Sequence, residues 1–329
     1  MAPLIIMKNT KQTFKECALL FLVATFSVVG FAQTAEEVSA FSNLETSFVG
    51  LTSERIEHVK SGSRPFIFSQ HKKTKTVVMI HGLSDSPGSM KEVSKVYYSQ
   101  GYNVMTVLLR DHGLAEDYRD AQRKTVTIAK WREDIDQVMR IAYQMSDSNK
   151  VALVGYSLGG ALATDAAHRY EGKISSLVLM APLLKMNQGW AAAIAAPLLK
   201  KTNLVMKKGV PETEHFYPNF MFNQIDQAYK LTKIINNEVA EHASETYKAV
   251  PKMMFLTDAD TTIVNDGAYK TAEMLNVPSA NIIMYNNPKG GPIVLHRDLP
   301  MRTINATKAP NPHIDDLLLK LEAFLQSLN

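Results

Sequence analysis

Residues 151–160 read Val-Ala-Leu-Val-Gly-Tyr-Ser-Leu-Gly-Gly, and this stretch decides the fold. Its first four residues are apolar and rich in valine, which is typical of a strand buried on both faces, as in a parallel sheet. Residues 158–170 continue as an apolar run with alanines at helical spacing. A strand therefore runs directly into a helix, and the polar residues fall on the turn between them.

The turn carries Ser157 between Gly155 and Gly159. So sharp a turn needs small neighbours, because a side chain at either glycine would collide with the adjoining strand or helix. The geometry lifts the hydroxyl clear of the sheet and places the Leu158 amide at the positive end of the helix. We predict that Ser157 is a nucleophile and that Gly155, Tyr156 and Gly159 shape its turn. A glycine-rich connection with an incidental serine is the alternative.

A second apolar strand, Thr76–Ile80, ends in His-Gly-Leu at 81–83. In α/β serine hydrolases, a strand that runs into His-Gly typically leads into the loop that binds the oxyanion. We expect the Leu83 amide to pair with the Leu158 amide to hold a developing negative charge. His81 is expected to brace this loop without titrating.

Strands and helices alternate along much of the chain, which predicts right-handed crossovers and a mostly parallel sheet of the α/β class. Further strands are predicted at 102–109, 176–180, 252–256 and 281–285, and two strands broken by a turn at 55–70. Helices are predicted at 86–100, 130–145, 266–275 and 312–328, with an exposed helix or arm at 33–53.

The alternation lapses between Leu183 and Val250, a stretch too long for a bare loop. We predict a helical cap over the carboxyl ends of the strands, where open α/β sheets bind ligands. A structural excursion on the flank of the sheet is the alternative. Its aromatic residues are candidate substrate contacts: Trp190, Phe216, Phe220 and Phe222.

The first residues resemble a signal peptide. Three lysines precede a run of apolar and small residues that ends at Ala32, and the run is short for a membrane span. We expect cleavage before Gln33 and export to the periplasm or medium, with an uncleaved anchor as the alternative. Cys17, the only cysteine, lies in this leader, so we expect no disulfide and no cysteine-based metal site in the mature chain.

A serine nucleophile needs a base and a group that orients the base. In α/β enzymes whose serine lies on a strand-to-helix turn, the acid and then the histidine follow the serine in the chain. Only His296 and His313 follow a plausible acid. We favour His296, which lies in a long flexible loop, over His313 at the start of the closing helix. Asp260, after the strand at 252–256, is preferred as the acid to Asp258, which could cap the turn instead.

Four motifs together resemble the α/β-hydrolase fold, and in particular bacterial carboxylesterases and monoacylglycerol lipases. They are His-Gly-Leu-Ser-Asp-Ser-Pro at 81–87, the long helix with Trp131, Gly-Tyr-Ser-Leu-Gly-Gly at 155–160 and Ala-Asp-Thr-Thr-Ile-Val at 259–264. The resemblance spans about Arg55 to Leu325. It implies a Ser–Asp–His triad at Ser157, Asp260 and His296 and a cap that forms an acyl pocket.

The predicted organisation is a signal peptide at 1–32, an N-terminal arm at 33–54, a hydrolase core at 55–182 and 251–329, and a helical cap insertion at 183–250. With 46% hydrophobic residues in 329, the chain can bury one large core. Part of the net charge of +4 lies in the leader, and the remaining charge is too small to indicate binding to nucleic acid.

We expect a serine ester hydrolase acting on a small-molecule ester or lipid, with no metal or organic cofactor and no nucleic-acid partner. Substrate access from a membrane surface stays open, as does the oligomeric state. Alternatives on the same triad are a lysophospholipase, a thioesterase or a proline-type aminopeptidase. A hydrolase-fold binding protein without catalysis is the alternative from another class.

Overall fold

The computed structural model describes residues 35–56, 58–115, 125–187, 196–202, 204–207, 212–217 and 219–328. The chain divides into two compact units, Met1–Ala40 and Phe41–Asn329. Of the first unit, only residues 35–40 are described, and they begin helix α1. The predicted signal peptide at 1–32 lies outside the described residues and stays a prediction.

The second unit is built on a seven-stranded sheet with the order β1-β3-β2-β4-β5-β8-β9, in which only β1 is antiparallel to its neighbour. Two further strands, β6 and β7, pair with each other separately. The strands are β1 (Ile67–Phe68), β2 (Thr76–Ile80), β3 (Asn103–Val107), β4 (Val151–Tyr156), β5 (Ile174–Met180), β6 (Val205–Lys207), β7 (Asn219–Met221), β8 (Lys252–Thr257) and β9 (Ile282–Tyr285).

The helices that follow and flank these strands are α1 (Ala35–Ile56), α2 (Lys91–Ser99), α3 (Ile128–Met145), α4 (Leu158–Arg169), α5 (Phe222–Ile234), α6 (Glu245–Ala249), α7 (Asn265–Met274) and α8 (Ile314–Gln326). Short 3₁₀ turns lie at 61–63, 87–90, 279–281 and 296–298, and a π-helical turn follows α5 at 235–240. Within the described residues, no helix is long and apolar enough to cross a membrane.

The register of the central strands sets the position of everything that follows them. Ile80 at the end of β2 pairs with Gly155 in β4, and Tyr156 at the end of β4 pairs with Met180 at the end of β5. Because these strands are parallel, the segments that leave their carboxyl ends meet at one edge of the sheet. The chain leaves β2, β4 and β8 at this edge just before His81, Ser157 and Asp258.

The predicted α/β class with a mostly parallel sheet is confirmed, and most strands lie within two residues of the predicted bounds. The prediction of two strands at 55–70 is wrong: α1 continues to Ile56, and only the two-residue β1 forms there. The N-terminal arm is helical, but it is not simply exposed. Phe41 and Phe48, seven residues apart and so on one helical face, are 4% and 2% exposed and pack in the core.

The segment predicted to be a cap contains α5, the π-helical turn and α6, together with the small sheet of β6 and β7. The sequence analysis anticipates the helices but not this sheet. Strand β6 is only three residues long, too short to give an alternating pattern. The bounds of the cap and of the other predicted domains remain predictions.

Candidate active site

Ser157 occupies the turn between β4 and α4 in a strained backbone conformation, with φ 55° and ψ −118°. The turn is held on both sides: the Ser157 N–H donates to the Met180 carbonyl at 2.9 Å, and its carbonyl accepts from the Leu183 N–H at 2.8 Å. A Cβ at Gly159 would collide with the backbone carbonyl of Ile80. Such strain persists where the surroundings determine the backbone, and it is common at functional sites.

A chain of hydrogen bonds joins three residues from distant parts of the sequence. His296 Nε2 lies 2.7 Å from Ser157 Oγ, and His296 Nδ1 lies 2.5 Å from Asp260 Oδ2. The other Asp260 oxygen accepts the N–H groups of Thr262 at 2.8 Å and Ile263 at 3.0 Å. All three side chains are buried or nearly so.

The Asp260 carboxylate is stabilised in its charged form. Burial alone would raise its pKa, but the charge and hydrogen bond of His296 and the two backbone N–H groups outweigh burial, and the pKa is lowered. An ionised Asp260 accepts a hydrogen bond from Nδ1–H of His296, which leaves Nε2 free to accept the Ser157 hydroxyl proton. The arrangement can therefore activate a serine oxygen.

The two residues that the sequence analysis ranked second lie elsewhere. Asp258 is exposed and accepts hydrogen bonds from the backbone and side-chain N–H groups of Asn287. His313 stacks on Tyr285, with ring centroids 4.9 Å apart, and burial lowers its pKa. Neither has a hydrogen bond to the Ser157–His296 pair.

The predicted oxyanion donors lie on the two loops next to Ser157. Gly82 packs closely enough that an added Cβ would be 3.1 Å from the Ser157 Cβ. Leu158 is the first residue of α4. In the part of the chain that the structure describes, the N–H groups of Leu83 and Leu158 donate to no protein acceptor. Their role as oxyanion donors remains a prediction.

His81 ties the loop after β2 to the loop after β3. Its Nε2 accepts the Leu109 N–H at 3.2 Å, so Nδ1 carries the proton and donates to the Gly82 carbonyl at 2.9 Å. Complete burial and the neighbouring His112 hold the pKa of His81 well below its usual value. A neutral, fixed imidazole fits the expected bracing role.

A narrow cavity opens beside Ser157, with an empty volume of about 430 Å³ that includes its mouth. Its apolar walls include two of the predicted aromatic contacts, Phe216 and Phe220. Phe222 does not line it; it is half-buried at the start of α5 and packs against the core. Trp190 lies outside the described residues.

Sequence reasoning missed three residues at this cavity: Asp85, Tyr217 and Arg297. Asp85 and Arg297 line it, and Tyr217 donates its hydroxyl proton to the Leu83 carbonyl at 2.7 Å. The only available signal was Asp85, within the quoted motif that follows β2. Across the described residues there is no group of three or more His, Cys, Asp and Glu side chains arranged to hold a metal ion.

Comparison with known proteins adds a family to this geometry. A family model described as "Serine aminopeptidase, S33" matches residues 71–242, which is more than half of the chain. A Mycoplasma pneumoniae protein described as an esterase/lipase is 28% identical over 118 residues, 36% of this chain. The match spans 41% of that relative's length, so well under half of it is represented here.

Two solved structures share the fold. One of two metagenome-derived lipolytic enzymes, LipS and LipT, is 19% identical with a TM-score of 0.63, and the match covers 82% of this chain and 99% of that one. A soluble variant of Saccharomyces cerevisiae monoglyceride lipase, solved with a substrate analogue, is 14% identical with a TM-score of 0.61 over 81% of this chain and 92% of that one. With the matched model and the seven-stranded sheet, these findings establish that the chain belongs to this serine aminopeptidase family and has the α/β-hydrolase fold.

Proposed function

We propose that this protein is a serine hydrolase that cleaves carboxylic esters through an acyl-enzyme, in the manner of a carboxylesterase or monoacylglycerol lipase. The observation that carries the proposal is the hydrogen-bonded chain from Ser157 Oγ through His296 to Asp260. The likeness to an esterase/lipase and to a monoglyceride lipase supports ester cleavage in particular.

In this mechanism His296 Nε2 takes the proton as Ser157 Oγ attacks the ester carbonyl carbon. The carbonyl oxygen becomes an oxyanion held by the Leu83 and Leu158 N–H groups. The intermediate then collapses: the bond to the alcohol oxygen breaks, that oxygen takes the proton from His296, and the acyl group stays on Ser157. Water, deprotonated by His296, releases the acid and restores the serine. Asp260 holds the imidazole in the required tautomer throughout.

The direct test is Ser157→Ala with p-nitrophenyl butyrate as substrate. The variant is expected to lose turnover by a factor of at least about 10⁴, because the nucleophile is gone. Ser99→Ala, at an exposed serine at the end of α2, is the matched control and should keep wild-type activity. Turnover by Ser157→Ala at the wild-type rate would refute the proposal.

The base and acid are tested in pairs. His296→Ala is expected to abolish turnover and His313→Ala to preserve it, because only the first touches Ser157. Asp260→Asn is expected to lower kcat by up to about 10⁴, since the wrong tautomer of His296 would be held, whereas Asp258→Asn should have little effect. An inactive His313→Ala beside an active His296→Ala would overturn the assignment.

The description of the family favours one further candidate, an aminopeptidase on the same triad. A panel of acyl esters of increasing chain length, run beside proline and alanine p-nitroanilides, distinguishes the two activities. A fluorophosphonate probe tests the alternative that this is a hydrolase-fold binding protein without catalysis, because labelling requires an activated serine. Labelling of wild type but not of Ser157→Ala is the expected result.

A further inference from the structure

Arg297 is a largely buried cation in the wall of the active-site cavity. It follows His296 directly, lines the same cavity as Ser157, and its side chain is only 14% exposed. Among the residues that the structure describes, none accepts a hydrogen bond from its guanidinium group, and its buried Nε has no hydrogen-bond partner. All five of its N–H donors are therefore available.

Its nearest carboxylate is already engaged. Arg297 Nε lies 3.9 Å from Asp298 Oδ1, beyond hydrogen-bond distance. That oxygen accepts the backbone and side-chain N–H groups of Asn305 at 2.9 and 3.0 Å, and the other accepts the Leu295 N–H at 3.3 Å. Asp298 thus holds the histidine loop in place, and its ion pair with Arg297 contains no hydrogen bond.

Other arginines in the structure show how unusual this is. Arg110, Arg132 and Arg169 are 24–31% exposed, more than Arg297, yet each donates hydrogen bonds to carboxylates at 2.6–3.0 Å. Burying an N–H donor without a hydrogen-bond acceptor is costly. A guanidinium group fits carboxylate and phosphate oxygens with two parallel hydrogen bonds. A guanidinium group in a cavity wall that makes no hydrogen bond to the protein is suited to binding an anionic ligand that enters the cavity.

The position of Arg297 indicates which part of a substrate it would meet. Arg297 lines the same cavity as His296, which hands its proton to the departing alcohol, and on this ground we assign Arg297 to the alcohol portion of the ester. The acyl portion of the ester requires an apolar surface, and the cavity walls offer one that includes Leu183, Phe216 and Phe220. The cavity lining therefore contains both a cationic group and apolar residues.

We propose that Arg297 is a specificity residue that binds an anionic oxygen group, a carboxylate or phosphate, on the alcohol portion of the ester substrate. The inference rests on the proposed ester hydrolysis and narrows its substrate class. Asp85, the other ionisable group missed in this cavity, does not oppose the binding below neutral pH. Burial raises its pKa to about 7, so at pH 6 it is mainly uncharged.

The test compares matched esters at pH 6: 4-(butanoyloxy)benzoate, its uncharged methyl ester, and 4-(butanoyloxy)phenyl phosphate. For each enzyme, kcat/KM for an anionic ester is divided by kcat/KM for the methyl ester. Variants are then compared by this ratio, because the difference in intrinsic reactivity between the two esters is the same for every enzyme. Arg297→Gln should lower the ratio by about tenfold or more for at least one anionic ester. Whether the carboxylate or the phosphate ester responds more identifies the preferred anion.

Two further variants sharpen the comparison. Arg297→Lys keeps the charge but loses the paired donors, so its ratio should fall less than that of Arg297→Gln. If Arg297→Gln does not fold, Arg297→Lys tests the proposal by itself, and its ratio should fall a few-fold below that of wild type. Arg302→Gln removes the same charge from an exposed arginine paired with Glu92 and Asp315, and its ratio should match wild type.

An unchanged ratio in both Arg297 variants would overturn the anion site. This failure is distinguishable from failure of the proposed function. If Ser157→Ala is inactive and the ratio is the same in wild type and in both Arg297 variants, only the anion site is wrong. If Ser157→Ala hydrolyses all three esters at the wild-type rate, the ester hydrolase itself is wrong.

Discussion

Asp85 is a carboxyl group buried in the cavity wall with only half of its hydrogen-bonding capacity used. Its Oδ2 accepts the Ser89 hydroxyl at 2.5 Å and the Gly82 N–H at 3.4 Å, while its Oδ1 is buried without a partner. Burial raises its pKa from 3.8 to about 7 and outweighs these hydrogen bonds, which lower it. An uncharged carboxyl is thus the form that this loop accommodates.

The raised pKa of Asp85 predicts a pH-dependent cost to stability. Between pH 4 and pH 7 the folded chain keeps a proton on Asp85 that the unfolded chain has lost, so the free energy of unfolding falls as pH rises and then levels off. Asp85→Asn should therefore change stability little near pH 4 and raise it at pH 8 by at most about 4 kcal/mol. Urea unfolding of both proteins at the two pH values measures the difference.

The comparison between variant and wild type isolates Asp85 from other groups. Asp260 acts in the opposite sense, because its lowered pKa gives stability that is lost as pH falls, but this contribution is present in both proteins. Asp147→Asn, at an exposed carboxylate, is the control and should show no gain at pH 8. A gain from Asp85→Asn that is equal at pH 4 and pH 8 would contradict the argument.

At the residue scale, sequence reasoning identified groups whose position in the chain carries the information. Ser157 stands out by its glycines, and His296 and Asp260 by their order after it. Asp85 and Arg297 could not be found this way, because each stands out only by a buried atom that has no hydrogen-bond partner. A lone aspartate between two serines looks like ordinary loop chemistry until the packing around it is known.

At the scale of elements, the crossing of β2 and α4 depends on one glycine. An added Cβ at Gly159 would meet the backbone carbonyls of Ile80 and His81, which cannot move without shifting β2. Gly159→Ala should therefore lower the free energy of unfolding by at least about 2 kcal/mol, as overpacking in a rigid site does. Chemical denaturation measures the change.

A matched glycine supplies the control. Gly50 lies in α1 with nothing within 4 Å of an added Cβ, so Gly50→Ala should stabilise the protein by up to about 1 kcal/mol through helix propensity. If both alanine variants lose the same stability, the close approach at Gly159 is not the cause.

The segment after β6 holds the loop after β2, the proposed oxyanion loop, through Tyr217. Its hydroxyl donates to the Leu83 carbonyl at 2.7 Å, and its N–H donates to the Ser84 carbonyl at 3.2 Å. Tyr217→Phe removes the first bond, so the Leu83 amide would be held less firmly in its proposed role as an oxyanion donor. We expect kcat to fall by up to about tenfold with KM nearly unchanged, because the contact matters most in the transition state.

Steady-state kinetics on p-nitrophenyl butyrate measure both constants. Tyr98→Phe, at an exposed tyrosine on α2, is the control and should leave them at wild-type values. An increase in KM with unchanged kcat for Tyr217→Phe would show that the bond serves substrate binding rather than the oxyanion loop.

Elements were predictable where their own residues carry the pattern. Strand β2 is apolar at four of five positions and buried throughout, and its predicted bounds are those of the structure. Helix α1 was expected to be exposed because of its polar composition, but Phe41, Leu44, Phe48 and Leu51 recur at helical spacing and pack against the core. Strand β1 has two residues and takes its conformation from pairing with β3, which local sequence does not record.

At the scale of the whole molecule, the candidate triad is assembled from segments that follow three different strands of one sheet. Ser157 and His296 are 139 residues apart in the chain, and Asp260 lies between them after β8. The histidine loop is tied to the sheet, since the Thr257 hydroxyl donates to the Val294 carbonyl at 2.7 Å and the Tyr156 hydroxyl to the His296 carbonyl at 3.1 Å. The site therefore has no element that can unfold by itself without breaking contacts to the core.

This dependence predicts that the site and the core are lost together. Trp131 is fully buried in α3, so in a Trp190→Phe background its fluorescence reports the core. Labelling of Ser157 by a small fluorophosphonate, measured at increasing urea concentrations, reports the triad without requiring an acyl substrate to bind. Both transitions should have the same midpoint, as expected for one cooperative unit. Loss of labelling at clearly lower urea than the change in Trp131 fluorescence would instead make the histidine loop a separate unit that opens before the sheet does.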